Sequence, residues 1–355
     1  MNDLVFLLSS ERSGSNLMRV IMDSHPEFSA PHSPHLIKTF VPLLAKYGDL
    51  RQSKNLIQLA EDMRTVVNIQ LRDWPFVPTT EQIVDNVRQP SFAGLVGSIY
   101  ELAAKNEGKY KSFIKDNGAI PLASEVATIF PTAKFVYLVR DARDVALSWK
   151  KSPGHPGGVK EAAAMWAKEQ TEALYFLSMV YQTNKVIVVR YENLVTDPNK
   201  EIRLICDHLE IAFDENMLKF YEGKEAKTSA DAAVGWENLV KPIMGKNTSK
   251  YKSDLSKREQ RAIERIAGVP LLQLGYSLDH PIKKPLFDPS TFGKLYRAGK
   301  VAIKQLLRGS EGIAELKKRT KRLSGLREIM NRMQNDHPDW SDAIDFPDNS
   351  SEGQK

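Results

Sequence analysis

Cysteine is almost missing from these 355 residues: Cys206 alone excludes an intrachain disulfide framework and any cysteine-only zinc site, and it suits a reducing compartment. Long hydrophobic runs are missing too. The apolar stretch Leu4-Val5-Phe6-Leu7-Leu8 is far shorter than a membrane span and has no basic leader, so the expected location is cytoplasmic. No G-x-x-x-x-G-K-[S/T] loop occurs, which counts against a P-loop nucleotide kinase or NTPase, the first rival reading. Nor is there an aromatic-rich basic platform or nucleic-acid motif, so no nucleic-acid partner is expected. What is present is enough apolar sequence for a core, 42% of residues, which excludes disorder of the whole chain.

Basic residues outnumber acidic ones, 50 to 44, and the excess of +6 is local. Residues 294–332 hold twelve Lys or Arg and three Glu, a net of +9, and 333–355 carry a net of −5, which leaves the body at only +2. The expected organisation is a main domain over 1–280, a basic helical extension over 281–332 and an acidic, disordered tail over 333–355. In the extension, Leu295, Ile303, Leu306 and Leu307 interleave with Lys300, Lys304 and Arg308. That pattern fits peripheral contact of 294–332 with an anionic membrane, or a solvated helix. It also underlies a second rival reading, a non-catalytic binding protein that recruits a membrane or partner.

Leu4–Leu8 is apolar on both faces of a strand, as in a buried parallel sheet. The polar loop Ser9-Ser10-Glu11-Arg12-Ser13-Gly14-Ser15-Asn16 follows, and then a short apolar helix up to Ser24-His25-Pro26. Further strand-like runs at 135–139 and 186–189, with Phe113-Ile114 as a shorter one, alternate with helix-length sequence. The fold class is α/β, a mostly parallel sheet flanked by helices. Residues 36–110 contain Pro42, Pro75, Pro78 and Pro90 and read as several short helices forming a wall or lid beside the binding loop. A helix over 158–183 and another from Ser256-Lys257-Arg258-Glu259, a capping-box spacing, to about Ile266 complete the domain.

Two loops carry chemistry. At the start of a helix, free backbone N–H groups and the helix dipole stabilise an anion, and small residues let the backbone approach it. Ser13, Gly14, Ser15 and Asn16 fit that role, with Arg12 as a permanent five-donor cation at the mouth. In the second loop, the strand ending at Val139 runs into Arg140-Asp141-Ala142-Arg143-Asp144, placing Arg140 at the sheet edge where open α/β folds bind ligands. Ser148 lies two helical turns on. Arg143 has an alternative as a salt-bridging residue with Asp141 and Asp144 on a solvated turn.

These two loops resemble those of the sulfotransferases that use 3′-phosphoadenosine-5′-phosphosulfate (PAPS). Arg12-Ser13-Gly14-Ser15-Asn16 is similar to the family's [K/R]-S-G-[S/T]-x loop, and Arg140 to Ser148 to its R-D-x-R-D-x-x-x-S loop. Val189-Arg190-Tyr191-Glu192-Asn193-Leu194 resembles its R-Y-E-x-L element. Lys115-Asp116, Lys241-Pro242 and Ser249-Lys250-Tyr251 resemble elements of the tyrosylprotein sulfotransferase branch, so the likeness spans roughly residues 4–276. It implies a P-loop-like sulfotransferase fold with a C-terminal helical extension, and transfer of a sulfuryl group from PAPS to a hydroxyl or amine by in-line displacement, with no metal. It further implies that Arg12 to Asn16 cradle the 5′-phosphosulfate, that Arg140 and Ser148 bind the 3′-phosphate, that Tyr191 touches adenine and that Lys250 closes over the nucleotide. Lys115 would assist at the bridging oxygen. The tryptophan that follows the first loop in the cytosolic branch is Leu17 here.

Sulfuryl transfer to an alcohol also needs a base for the acceptor proton. The tyrosylprotein branch has a glutamate just after an H-P pair; this chain has His25-Pro26-Glu27-Phe28-Ser29-Ala30-Pro31-His32-Ser33-Pro34-His35, with no acid at the matching place. Histidine suits the task near neutral pH, so His32 ranks first, His35 second and Glu27 third, with Asp116 a further candidate. The acceptor carries a hydroxyl, and carbohydrate, lipid headgroup, peptide and small alcohol all stay open. It is expected against 36–110 and 220–250.

Overall fold

The computed structural model describes residues 4–280, apart from 70–73, 75, 153–154, 156, 181–182, 231–235 and 246, together with scattered positions between 310 and 325. The expected basic extension and acidic tail otherwise lie outside the described residues. The chain divides into two units, Met1–Leu271 and Leu272–Lys355, and the sheet belongs to the first.

Five parallel strands form that sheet among the described residues: β1 (Leu4–Ser9), β2 (Phe28–Ser29), β3 (Lys111–Lys115), β4 (Lys134–Val139) and β5 (Val186–Arg190), in the order β2-β3-β1-β4-β5. The central strands β1 and β4 are buried along nearly their whole length, as their unbroken apolar runs require. Chain order reverses across β1, with β3 on one side and β4 on the other. All five strands run the same way, so the segments leaving β1, β2, β3, β4 and β5 emerge along one edge.

Helices cover both faces. They are α1 (Ser15–Asp23), α2 (Leu36–Phe40), α3 (Ser53–Asn68), α4 (Thr80–Asp85), α5 (Phe92–Asn106), α6 (Ala123–Ile129), α7 (Ala142–Lys151), α8 (Val159–Val180), α9 (Tyr191–Thr196), α10 (Pro198–Leu209), α11 (Lys224–Ala230), α12 (Tyr251–Asp254) and α13 (Lys257–Gln273). Within 36–110, α3 and α5 are longer than the proline spacing suggests. The prolines delimit helices instead of interrupting them: Pro78 and Pro90 immediately precede the N-caps Thr79 and Ser91. Helix α13 begins with the Ser256–Glu259 capping box but continues past Ile266 through Pro270. Burial of Pro270 and Leu271 offsets the lost backbone hydrogen bond.

Buried ion pairs tie the helices to one another. Arg19 of α1, with no exposed surface, donates to the Ala30 carbonyl at 2.6 Å and to Glu225 of α11 at 2.7 Å. Arg143 of α7 donates through Nε and a terminal nitrogen to the Asp141 carboxylate and through its other terminal nitrogen to Glu264 of α13 at 2.7 Å. This corrects the solvated-turn alternative for Arg143, because the pair is buried and its second partner is Glu264, not Asp144. Removing the guanidinium strands two carboxylates in the core. Arg143→Ala is therefore expected to lower stability by about 3–5 kcal/mol, read as a lower urea midpoint at unchanged m.

Candidate functional site

A cleft of about 530 Å³ opens along the carboxyl edge of the sheet. It is where the strand ends converge, so residues far apart in sequence meet there.

The loop after β1 turns sharply. Arg12 (φ 66°) and Gly14 (φ 95°) both have left-handed backbones, and Gly14 is the N-cap of α1. A side chain at Gly14 is excluded twice over, since an added Cβ would lie 2.5 Å from the Tyr191 ring. The Cδ2–Cε2 edge of the Tyr191 ring, at the start of α9, is thus packed against the loop backbone. Arg140, directly after β4, stacks its guanidinium 4.2 Å from the centre of that ring and donates to the carbonyls of Arg12 (3.2 Å) and Asn247 (3.1 Å). Arg12 Nε donates to Ser148 Oγ at 3.0 Å. Burial and the nearby Arg140 charge lower the Arg12 guanidinium below its usual value, so the two cations crowd each other. Three buried polar atoms here, Ser13 Oγ, Asn16 Oδ1 and Arg140 Nε, have no hydrogen-bond partner among the described residues. Crowded cations, with the Ser13 hydroxyl and the Arg140 Nε–H as unsatisfied donors beside a helix start, fit a multiply charged anion.

The acids of the second loop are occupied elsewhere. Asp141 holds Arg143, and Asp144 accepts the backbone N–H groups of Ser249 (2.6 Å) and Tyr251 (3.0 Å). The latter fixes the strap carrying Lys250, which lines the cleft together with Lys241 and Pro242. Asn247 on the same strap donates to the Tyr191 hydroxyl at 2.6 Å.

Lys115 ends β3 with 3% of its surface exposed, and its ammonium lies 6.0 Å from the centre of the Trp236 ring. His32 stacks on the same ring at 5.4 Å, and its carbonyl accepts from Trp74 Nε1. His35 lies against Asp116, which follows Lys115, with Nδ1 3.1 Å from Oδ1. Arg12, Gly14, Ser15, Asn16, His32, His35, Lys115, Arg140, Ser148, Tyr191 and Lys250 all line the one cleft, and Ser13 is buried within its first loop.

Glu27 is placed elsewhere: its carboxylate pairs with Lys111 at 2.9 Å and does not line the cleft, because Glu27 precedes β2 and so lies at the amino end of the strand, opposite the cleft. No described residue of 36–110 lines it either; α5 buries Leu95, Ile99 and Tyr100 beside β3 instead of forming a wall. Cys206 is a core residue, its thiol 3.7 Å from the Met217 sulfur. No group of three or more His, Cys, Asp or Glu able to hold a metal occurs among the described residues, and no described helix is long and apolar enough to cross a membrane. Trp236 and Asn247 have no signal in sequence spacing, since each reaches the cleft only through tertiary packing.

Behind the first loop sits a second electrostatic feature. Burial pushes the Glu169 carboxyl of α8 up to about 7; a hydrogen bond with Ser10 opposes the shift and the Glu11 carboxylate adds to it. Between pH 4.5 and about 7 the folded chain keeps a proton that the unfolded chain has released, so this group makes stability fall as pH rises through that window. Glu169→Gln should flatten the slope and raise stability at pH 8 by about 3 kcal/mol, measured by urea unfolding across pH.

Comparisons with known proteins bear on the family and the fold. The model of the sulfotransferase family matches residues 4–215. The chain is similar to protein-tyrosine sulfotransferase 1 of Danio rerio, 24% identical over 301 residues covering 82% of this chain and 75% of that protein. Its similarity to the Homo sapiens protein-tyrosine sulfotransferase 1 is 24% over 301 residues, covering 82% and 72%. Among solved structures, the sulfotransferase domain from the curacin biosynthetic pathway superposes with a TM-score of 0.54 at 21% identity, covering 78% of this chain and 99% of that one. The corresponding domain of the Synechococcus PCC 7002 olefin synthase gives 0.52 at 24%, covering 78% and 96%. Both show a shared fold.

Proposed function

This chain belongs to the sulfotransferase family, and we propose that it transfers a sulfuryl group from PAPS to an acceptor hydroxyl by in-line displacement. The observation that carries the reading is the pair Arg12 and Arg140, two crowded cations at a left-handed glycine turn and helix start, with Arg140 donating to the Arg12 backbone carbonyl. In this reading the N–H groups of 12–16 hold the phosphosulfate, and Arg12 neutralises the charge that develops as the sulfur–oxygen bond to the donor breaks. Arg140 and Ser148 take the 3′-phosphate, Tyr191 and its Arg140 stack line the adenosine side, and Lys250 approaches from the strap. Lys115 faces the bridging oxygen.

Phosphoryl transfer fits less well. A kinase or NTPase needs a carboxylate at the strand end for its metal, and here Asp141 is bound to Arg143 while Asp144 is bound to two backbone N–H groups. As acceptor, a peptide tyrosine is the first class to test, because the relatives are named protein-tyrosine sulfotransferases. Carbohydrate, lipid-headgroup and small phenolic acceptors complete the screen.

Transfer of labelled sulfate from PAPS to one of these classes, with tighter binding of 3′-phosphoadenosine 5′-phosphate (PAP) than of Mg-ATP, is the expected result. Preference for Mg-ATP would overturn the donor assignment. Arg140→Ala should weaken PAP by about a hundredfold, as loss of a charge-assisted contact implies, and adenosine 5′-phosphosulfate much less. Equal losses in calorimetry would remove Arg140 from the 3′-phosphate.

A further inference from the structure

Resting on that reading, we infer that His35 is the base that takes the acceptor proton and that Asp116 is its positioning residue. The sequence order of candidates put His32 first; the geometry around Asp116 moves His35 ahead. Asp116 is buried, with 2% of its side chain exposed, whereas the His35 ring is 39% exposed and lines the cleft. The Asp116 carboxylate uses both oxygens. Oδ2 accepts the backbone N–H of Ile37 (2.8 Å) and of Lys38 (3.3 Å), holding the start of α2 against the end of β3, and Oδ1 meets His35 Nδ1 at 3.1 Å.

The chemistry follows from the inventory of donors. An ionised carboxylate only accepts hydrogen bonds, so Nδ1 carries the hydrogen and Nε2 keeps its lone pair. Ser33 Oγ lies 3.3 Å from the same Nδ1 and accepts the His35 backbone N–H at 3.1 Å, restraining the residue from a second side. The backbone of His35 is left-handed, φ 57°, an uncommon state for a histidine that these contacts hold in place. Because Lys115 and Asp116 are consecutive at the end of β3, one strand end presents the ammonium and, through Asp116, the imidazole to the same cleft. His32, by contrast, forms one face of an aromatic stack with Trp236.

In the step this implies, the acceptor oxygen forms its bond to sulfur as its proton passes to Nε2 of His35. The bond from sulfur to the donor's 5′-phosphate oxygen breaks with its electron pair, PAP departs, and the imidazolium later releases its proton to water.

The test uses the full chain with labelled PAPS, a tyrosine peptide and 2-naphthol as acceptor probes. His35→Ala should lower kcat about 10²- to 10³-fold with PAP affinity unchanged, and added imidazole should restore part of the loss. Asp116→Asn, which keeps an acceptor for Ile37, should lower kcat about 10²-fold with little change in KM or PAP affinity. The double variant should be no slower than His35→Ala alone, since Asp116 acts through the ring. A His35→Ala enzyme within twofold of wild type, one that imidazole does not restore, or a double variant slowed by the full product of the two losses overturns the inference. Nitrogen-15 spectra of the resting protein read the dyad independently of any donor: Nδ1–H in wild type is expected, lost in Asp116→Asn, and an Nε2–H tautomer in wild type overturns it. PAP titration of the wild type separates failure of the donor reading from failure of the dyad.

Discussion

The guanidinium of Arg143 is held between Asp141 and Glu264, and that arrangement controls which charges of the β4 turn reach the cleft. The turn contains two arginines and two aspartates within five residues, and left to themselves they would neutralise one another. Asp141 is consumed by Arg143, and Asp144 by the N–H groups of the strap at 249 and 251. Arg140 thereby forms no ion pair among the described residues and faces Tyr191 and the first loop, with Asp144 near enough to feel its charge. The same three contacts join α7 to α13 and to the strap, so the element that offers the cation is also the one that ties down the far end of the domain.

Positive charge in the cleft is therefore concentrated by construction. The body of the chain is close to neutral, yet Arg12, Lys115, Arg140 and Lys250 converge on about 530 Å³. Burial of Lys115 and Arg140 strengthens their action on an anion, and burial of Arg12 beside Arg140 makes that pair's repulsion costly without one. The basic residues of 294–332, which dominate the net charge, are separate in sequence from these four. Glu169, raised behind the first loop by its burial, adds a pH-sensitive group on the side of the loop that the cleft does not face.

Much of the proposed donor side was legible in sequence because it is built from contiguous loops. Arg12 to Asn16 and Arg140 to Ser148 each follow an apolar run that forms a central strand, so local pattern alone places them at a sheet edge. The proposed acceptor side is assembled differently. Glu27 sits close to His32 in sequence, but the two-residue strand β2 ends between them, and Glu27 turns to Lys111 at the sheet margin. Pro78 and Pro90 were visible as punctuation before helices, but the burial of α5 beside β3 depends on packing that no spacing reveals.

The sequence by itself determined the alternating α/β architecture, the strand–glycine loop–helix start and the identity of the cations at two strand ends, because each rests on short-range hydrophobic period and backbone conformational preference. Tertiary structure alone decided that Arg143 is structural while Arg140 faces the cleft, that Trp236 and Asn247 belong to the site, and that Asp116 meets His35. Those outcomes depend on which buried charge finds a partner from a distant segment. Parallel strands bring such segments together at one edge only after every crossover has been made.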